Sequence, residues 1–160
     1  MTTDALFKHI ELLQGKKPWG RLLDAGTGSA SLRWITGLDT LSWTAITADL
    51  QRARRIESEF NDSRREGDRV MAGNWSDPLL LQGEIFDVVL ADYLIGSMDR
   101  FSPYFQYRFL RRLRPHVGNC LYLAGLEPYQ GAGEDAGGRL VLEIANLRDA
   151  CILHAGHRCH

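Results

Sequence analysis

Leu22-Leu23-Asp24-Ala25-Gly26-Thr27-Gly28-Ser29-Ala30 is the stretch on which the reading of this chain turns. An apolar strand ends in an acid and runs straight into a glycine-spaced turn that opens a helix. Glycines at 26 and 28 can take positive φ and bring main chain close to a ligand, and a helix starting near Ser29 aims unpaired amides at that place. Asp24, at the strand tip, can accept from an ammonium group or from water. A second apolar run, Ala45-Ile46-Thr47-Ala48, ends in Asp49, twenty-one residues after Gly28. That spacing fits one βαβ unit, and a carboxylate on the second strand's tip can accept from both hydroxyls of an adenosine ribose. Asp49 can equally cap the helix that begins at Leu50. In this order, Asp24, Gly26, Gly28 and Asp49 point to an adenosine-containing cofactor.

Outward from this segment, short apolar runs alternate with helical patterns. Arg21–Ala25, Trp43–Ala48, Arg69–Ala72, Phe86–Ala91 and Cys120–Ala124 are predicted strands, apolar enough for burial on both faces. Ser29–Ile35, Leu50–Asn61, Gly96–Leu113 and Arg139–Leu153 are predicted helices. Leu6, Ile10 and Leu13 give an opening amphipathic helix that Gly15 and Pro18 end. Strand and helix in alternation predict an α/β fold, a mainly parallel sheet wrapped by helices in three layers, with ligands at the strands' carboxyl ends.

The segment Asp24-Ala25-Gly26-Thr27-Gly28-Ser29-Ala30 resembles the first motif of the class I S-adenosylmethionine-dependent methyltransferases, a Rossmann-like superfamily. The likeness runs from residue 20 to about 127, through Phe86-Asp87-Val88-Val89-Leu90-Ala91-Asp92 as fourth strand and Leu113-Arg114-Pro115 as the turn before the fifth. It implies S-adenosyl-L-methionine as cofactor. Ala25, Gly26, Thr27 and Gly28 would pack on its methionine part, Asp24 would serve the amino group, and Asp49 with Leu50 would hold the ribose. Asn74 and Trp75, with Asp77 near them, are the matches for the adenine position, and Asp92 borders the same site. Ala30 stands where the motif has its third glycine, which narrows the space. A nicotinamide dinucleotide is the runner-up cofactor, but its fingerprint asks for Gly or Ala at Ser31 and for no acid before the loop.

Methyl transfer needs alignment more than a dedicated catalytic group; a base, where one helps, belongs at the end of the fourth or fifth strand. Asp92, Tyr93, Glu127 and Tyr129 occupy those ends, with helix capping as the structural alternative for Asp92. Ala91-Asp92-Tyr93-Leu94 lacks the Asn/Asp-Pro-Pro-Tyr signature of nucleobase or glutamine amino methylation. Phe101, Tyr104, Phe105 and Phe109 read as an aromatic helix face turned to the core, and Arg108, Arg111, Arg112 and Arg114 as a solvated face. Arg52 to Glu66 mixes charges as local ion pairs do. Cys151, His154, His157, Cys159 and His160 match no standard metal spacing, so no metal is expected.

The 160 residues, 44% hydrophobic and 24% charged, form one expected domain, divided into a lead-in (1–19), a cofactor core (20–127) and a tail (128–160). A net charge of −1 favours a small-molecule or protein acceptor over nucleic acid. Three cysteines at irregular spacing and the lack of a signal-like or membrane-spanning stretch give a cytoplasmic expectation without membrane association. Only about five of the family's seven strands are legible, so the chain is expected to be truncated or to cover its sheet edge with a second subunit. A noncatalytic module for sensing or protein contact is the alternative to an enzyme.

Overall fold

Alternation along the fourth apolar run sets the layers: Val88 and Leu90 face one side of a sheet, Val89 and Ala91 the other, and all four are buried. The computed structural model describes residues 4–102, 104–125 and 135–156. Strands β1 (Arg21–Asp24), β2 (Ser42–Thr47), β3 (Arg69–Ala72), β4 (Phe86–Asp92) and β5 (Val117–Ala124) form one sheet in the order β3-β2-β1-β4-β5. Every neighbouring pair is parallel. The order reverses between β1 and β4, which makes their carboxyl ends the switch point where open α/β sheets bind ligands.

Helices α1 (Ala5–Gln14), α2 (Ser29–Ile35) and α3 (Leu50–Glu59) pack Phe7, Ile10, Leu32, Ile35 and Ile56 on Leu22, Trp43, Val88 and Leu90. The opposite face buries Leu23, Ile46 and Val89 under α4 (Leu94–Ser97) and α5 (Gln106–Leu113), through Leu94, Phe109 and Leu113. A separate unit, residues 126–160 by contact, contains α6 (Ala136–His154), capped by the Asp135 carboxylate on the Gly138 amide at 2.6 Å.

Four expectations need correction. Burial on both faces holds for β1, β2 and β4, whereas β3 and β5 are edge strands with no fully buried residue. In α1 the inward stripe is Phe7, Ile10 and Gln14, and Leu13 is exposed. Gln14 takes that face because its amide is satisfied, donating to the Lys17 and Pro18 carbonyls and accepting from the Tyr122 hydroxyl. The expected long helix over 96–113 is broken: α4 passes into a 3₁₀ turn at Met98–Arg100, and Tyr104 takes a φ of 65°, so Phe101 lies outside the Phe109 face. Arg112 is not solvated. It donates to the carbonyls of Asp77, Pro78 and Leu80 and lies over the Trp75 ring at 5.7 Å.

Candidate functional site

A cleft of about 70 Å³, open to solvent on one side, lies at the carboxyl ends of β1, β2 and β3. Its floor is the glycine loop, Ala25, Gly26 and Thr27, with Thr47 and Ala48 from the end of β2 and Arg52 from α3. Gly73, Asn74 and Trp75 make one wall, and Leu94, Ser97, Met98, Phe101 and Ser102 the other. Of the residues expected at a cofactor, Ala25, Gly26, Thr27, Asn74 and Trp75 therefore meet at one cleft. Asp24, Gly28, Asp49, Leu50 and Asp92 do not border it, and neither does Tyr93. Glu127 and Tyr129 lie outside the described residues, as do His157, Cys159 and His160. Among the described residues no group of three or more His, Cys, Asp or Glu is placed to hold a metal ion.

Neither loop glycine uses positive φ, so the conformational reason for them fails. Their reasons differ. A Cβ on Gly26 would come within 2.7 Å of Leu94 Cδ1, so α4 packs where a side chain would be. A Cβ on Gly28 would meet nothing within 4 Å, which leaves that stretch of main chain open to an incoming group. Ala30 is exposed and outside the cleft, so it narrows nothing.

Asp24 is completely buried, and Ser31 Oγ donates to its Oδ2 at 2.7 Å. Its Oδ1 meets no donor in good hydrogen-bond geometry, although the Thr27 hydroxyl and the Gly26 amide are near enough to lower the carboxyl. Burial pushes its carboxyl up from 3.8 to about 6, against the lowering effect of the Ser31 hydroxyl and with help from the charge of Asp92. Asp92, on the neighbouring strand, is also raised, by burial first and then by the charge of Asp4, and its Oδ1 is likewise unpartnered. Asp92 does not cap α4. The N-cap is Tyr93, at φ 48° and without a side-chain cap bond, a left-handed conformation that costs a tyrosine strain at the end of β4.

Asp49 does cap its helix: Oδ1 accepts from the amides of Gln51 and Arg52 at 2.9 and 3.1 Å. The Arg52 amide and then the Gln51 amide, with the charges of Arg100 and Arg52, hold its carboxyl below the usual value. Both bonds use one oxygen, and Oδ2 remains for another donor.

Asn74 spans the cleft. Its Nδ2 donates to the Phe101 carbonyl at 3.0 Å and its Oδ1 accepts from Ser102 Oγ at 2.6 Å, as well as from Ser76. Sequence reading missed the Phe101–Ser102 wall because helical spacing of the aromatic residues suggested an unbroken helix. It also missed Thr47 and Ala48, although both stand just before Asp49.

No protein-family model and no curated protein matches the sequence. Solved structures match its shape. YcgJ from Bacillus subtilis superposes with a TM-score of 0.59 at 17% identity over 91% of this chain and 59% of that one. The methyltransferase candidate yhhF from Escherichia coli gives 0.56 at 16% identity over 81% and 76%. The mycolic acid cyclopropane synthase CmaA1, solved with SAH and CTAB, gives 0.52 at 20% identity over 74% of this chain and 41% of that one. The five-strand parallel sheet flanked by helices is thus the class I S-adenosylmethionine-dependent methyltransferase fold, and the chain spans 59% of the length of YcgJ. Identities of this size establish the fold and leave the chemistry to the site.

Proposed function

We propose that this chain binds S-adenosyl-L-methionine at the switch point and transfers its methyl group to a small-molecule or protein acceptor in the cytoplasm. One observation carries the reading: open main chain at Gly28 lies in the same loop as Thr27 and follows Asp24, two residues whose buried oxygens form no hydrogen bond of good geometry, although the Thr27 hydroxyl lowers the Asp24 carboxyl. Orphaned buried acceptors are costly unless a donor arrives, and an ammonium group is such a donor for a carboxylate. The residues present therefore fit the cofactor that the fold implies. A carboxyl near 6 is mostly ionised at neutral pH, so Asp24 can meet that ammonium as an anion. Asp49 would give Oδ2 to a ribose hydroxyl while Oδ1 keeps the α3 cap. Leu94, Met98, Trp75 and Phe101 supply apolar walls that exclude water.

When bound, the cofactor supplies an electrophilic methyl carbon, and the protein's share is alignment and desolvation. Asp92 and Tyr93 are the acceptor-side candidates within the described residues. The raised carboxyl of Asp92, with Oδ1 unpartnered, can take a proton from an acceptor more readily than an ordinary aspartate. That CmaA1, on this fold, is a cyclopropane synthase solved with SAH supports the cofactor class and leaves the acceptor open. Calorimetry with S-adenosylhomocysteine against NAD tests the reading: binding of the first alone, weakened by Asp49→Ala, is expected, and no binding of S-adenosylhomocysteine overturns it.

The second reading is a noncatalytic module that keeps the fold for sensing or protein contact. It is favoured by the position of Asp92 and Tyr93 outside the cleft. Cofactor binding with no labelled methyl transfer to small molecules, protein or RNA would select it.

A further inference from the structure

The cleft at the switch point is smaller than the cofactor proposed for it. About 70 Å³ is room for a few waters, whereas pockets that hold a whole small ligand run from roughly 300 Å³ upward. One wall therefore has to give for such a ligand to enter. Trp75 is pinned by its bond to Ala25 and by the packing of Phe109 and His116. The opposite wall is the strap that follows β4, residues 94–102.

In the sheet, β2 and β1 lie between β3 and β4. The strap leaves β4 and is joined to Asn74, just past β3, so it crosses the carboxyl ends of the two strands between. Asn74 makes the join: its Nδ2 donates to the Phe101 carbonyl at 3.0 Å, and its Oδ1 accepts from Ser102 Oγ at 2.6 Å. The Ser76 amide and hydroxyl donate to the same oxygen at 2.9 and 2.8 Å, which fixes the Asn74 side chain to its own loop.

The strap's main-chain bonds are local, with the Ser97, Phe101 and Ser102 amides donating to the Tyr93 and Met98 carbonyls. Leu94, packed on Gly26 in the core, anchors its start, so 97–102 is the part that can swing. Both ends of that part can turn. Gly96 is a weak helix former on which a Cβ would meet nothing within 4 Å, and Tyr104 is held at a strained, left-handed φ of 65°. Opening uncovers Met98, a pliable thioether that a ligand's apolar surface would cover again.

We propose that residues 97–102 form a lid over the switch point and that Asn74 latches it through Phe101 and Ser102. Latched, the cleft is closed to a ligand of the cofactor's size, and release of the latch admits it. That the occupant is S-adenosyl-L-methionine rests on the cofactor reading, whereas the lid and its latch do not.

Amide exchange of the full chain tests the lid without any ligand. The Phe101 and Ser102 amides should exchange faster than those of β1 and β2, and Ser102→Ala should speed them roughly fivefold, the worth of one side-chain hydrogen bond. Asn74→Ala removes both bonds and should speed them further, and the double variant no more than Asn74→Ala alone. Unchanged exchange at β1 and β2 shows that the sheet of each variant is intact. Stopped-flow mixing with S-adenosylhomocysteine, read by tryptophan fluorescence, tests the gate. Where a lid has to open first, weakening the latch accelerates association, again roughly fivefold in Ser102→Ala, because more of the protein is open. A wall that only shapes the site would leave association unchanged or slower. Exchange at Phe101 and Ser102 indifferent to both substitutions overturns the lid, and association accelerated in neither variant overturns the latch. If exchange responds and S-adenosylhomocysteine does not bind, the lid stands and the cofactor reading falls.

Discussion

The indole nitrogen of Trp75 donates to the main-chain carbonyl of Ala25 at 2.7 Å, tying the loop after β3 to the glycine loop after β1. β2 separates those strands in the sheet, so the bond spans the cleft floor from below. The ring is held in turn by Phe109 at 5.8 Å and His116 at 5.9 Å. Trp75→Phe keeps most of the ring packing and removes the donor from a buried carbonyl, a loss of about 1–3 kcal/mol. Urea unfolding should show it, and S-adenosylhomocysteine should bind more weakly as the loop loosens. Unchanged stability and affinity would mean that the bond positions nothing.

The two loop glycines should separate under alanine substitution. Gly26→Ala drives a methyl into Leu94, whose Cδ1 and Cβ would lie 2.7 and 3.2 Å from it, and should cost about 1–3 kcal/mol. Gly28→Ala enters open space with an extended backbone at φ −135°. Its small losses at the helix cap and gains in chain stiffness leave stability within about 1 kcal/mol. Calorimetry should nevertheless show a loss of cofactor affinity at Gly28→Ala, since that methyl fills the approach to the loop.

How much of this was legible follows residue by residue. The strands and the order Asp24, Gly26, Gly28, Asp49 could be read because apolar runs and strand-tip acids are local patterns. The reason for the glycines could not, since Leu94 lies 68 positions from Gly26 and the contact is tertiary. Trp75 was expected at the cofactor and it lines the cleft, but its bond to Ala25 needed the fold. Phe101 and Ser102 were lost to the helical spacing of the aromatics, although Pro103, inside the expected helix, is a sequence signal for the break at which Tyr104 turns left-handed. Arg112 was taken for a solvated charge because its carbonyl partners come from a distant loop.

Asp24 makes the stability of the fold sensitive to pH. Its folded carboxyl is raised from 3.8 to about 6, so its favourable contribution is complete below about pH 4 and disappears as pH rises through 6. At neutral pH the ionised group costs the fold on the order of 3 kcal/mol. Asp24→Asn should therefore be more stable than wild type at pH 7, with the advantage shrinking as pH falls from 6 to 4, while cofactor affinity drops. Thermal unfolding across that range checks the sign: an advantage that grows on acidification would place the raised carboxyl elsewhere.

Asp49 should behave in the opposite sense. Its carboxyl is lowered by the Arg52 and Gln51 amides it caps, so its contribution is present above the ordinary carboxylate value and is lost on acidification. Asp49→Ser retains a capping oxygen and should preserve the unfolding temperature, whereas Asp49→Ala lowers it. Both remove the second carboxylate oxygen, so both should weaken S-adenosylhomocysteine. Equal affinity for wild type and Asp49→Ser would confine Asp49 to capping.

Arg112 clasps the loop that follows Trp75. One guanidinium nitrogen meets His116 Nε2 at 2.6 Å and the other collects the carbonyls of Asp77, Pro78 and Leu80. An arginine can only donate, so His116 Nε2 accepts and its Nδ1 carries the proton given to the Glu84 carbonyl at 2.8 Å. Lysine cannot reproduce a planar fork reaching four acceptors. Arg112→Lys should destabilise the protein by about 2 kcal/mol through unpaired carbonyls, against a change within about 0.5 kcal/mol for the exposed neighbour in Arg111→Lys. Amide exchange locates the damage: protection should fall between Asp77 and Glu84 in Arg112→Lys and stay unchanged at β1 and β2. Uniform loss across the sheet would show instead that Arg112 supports the whole core.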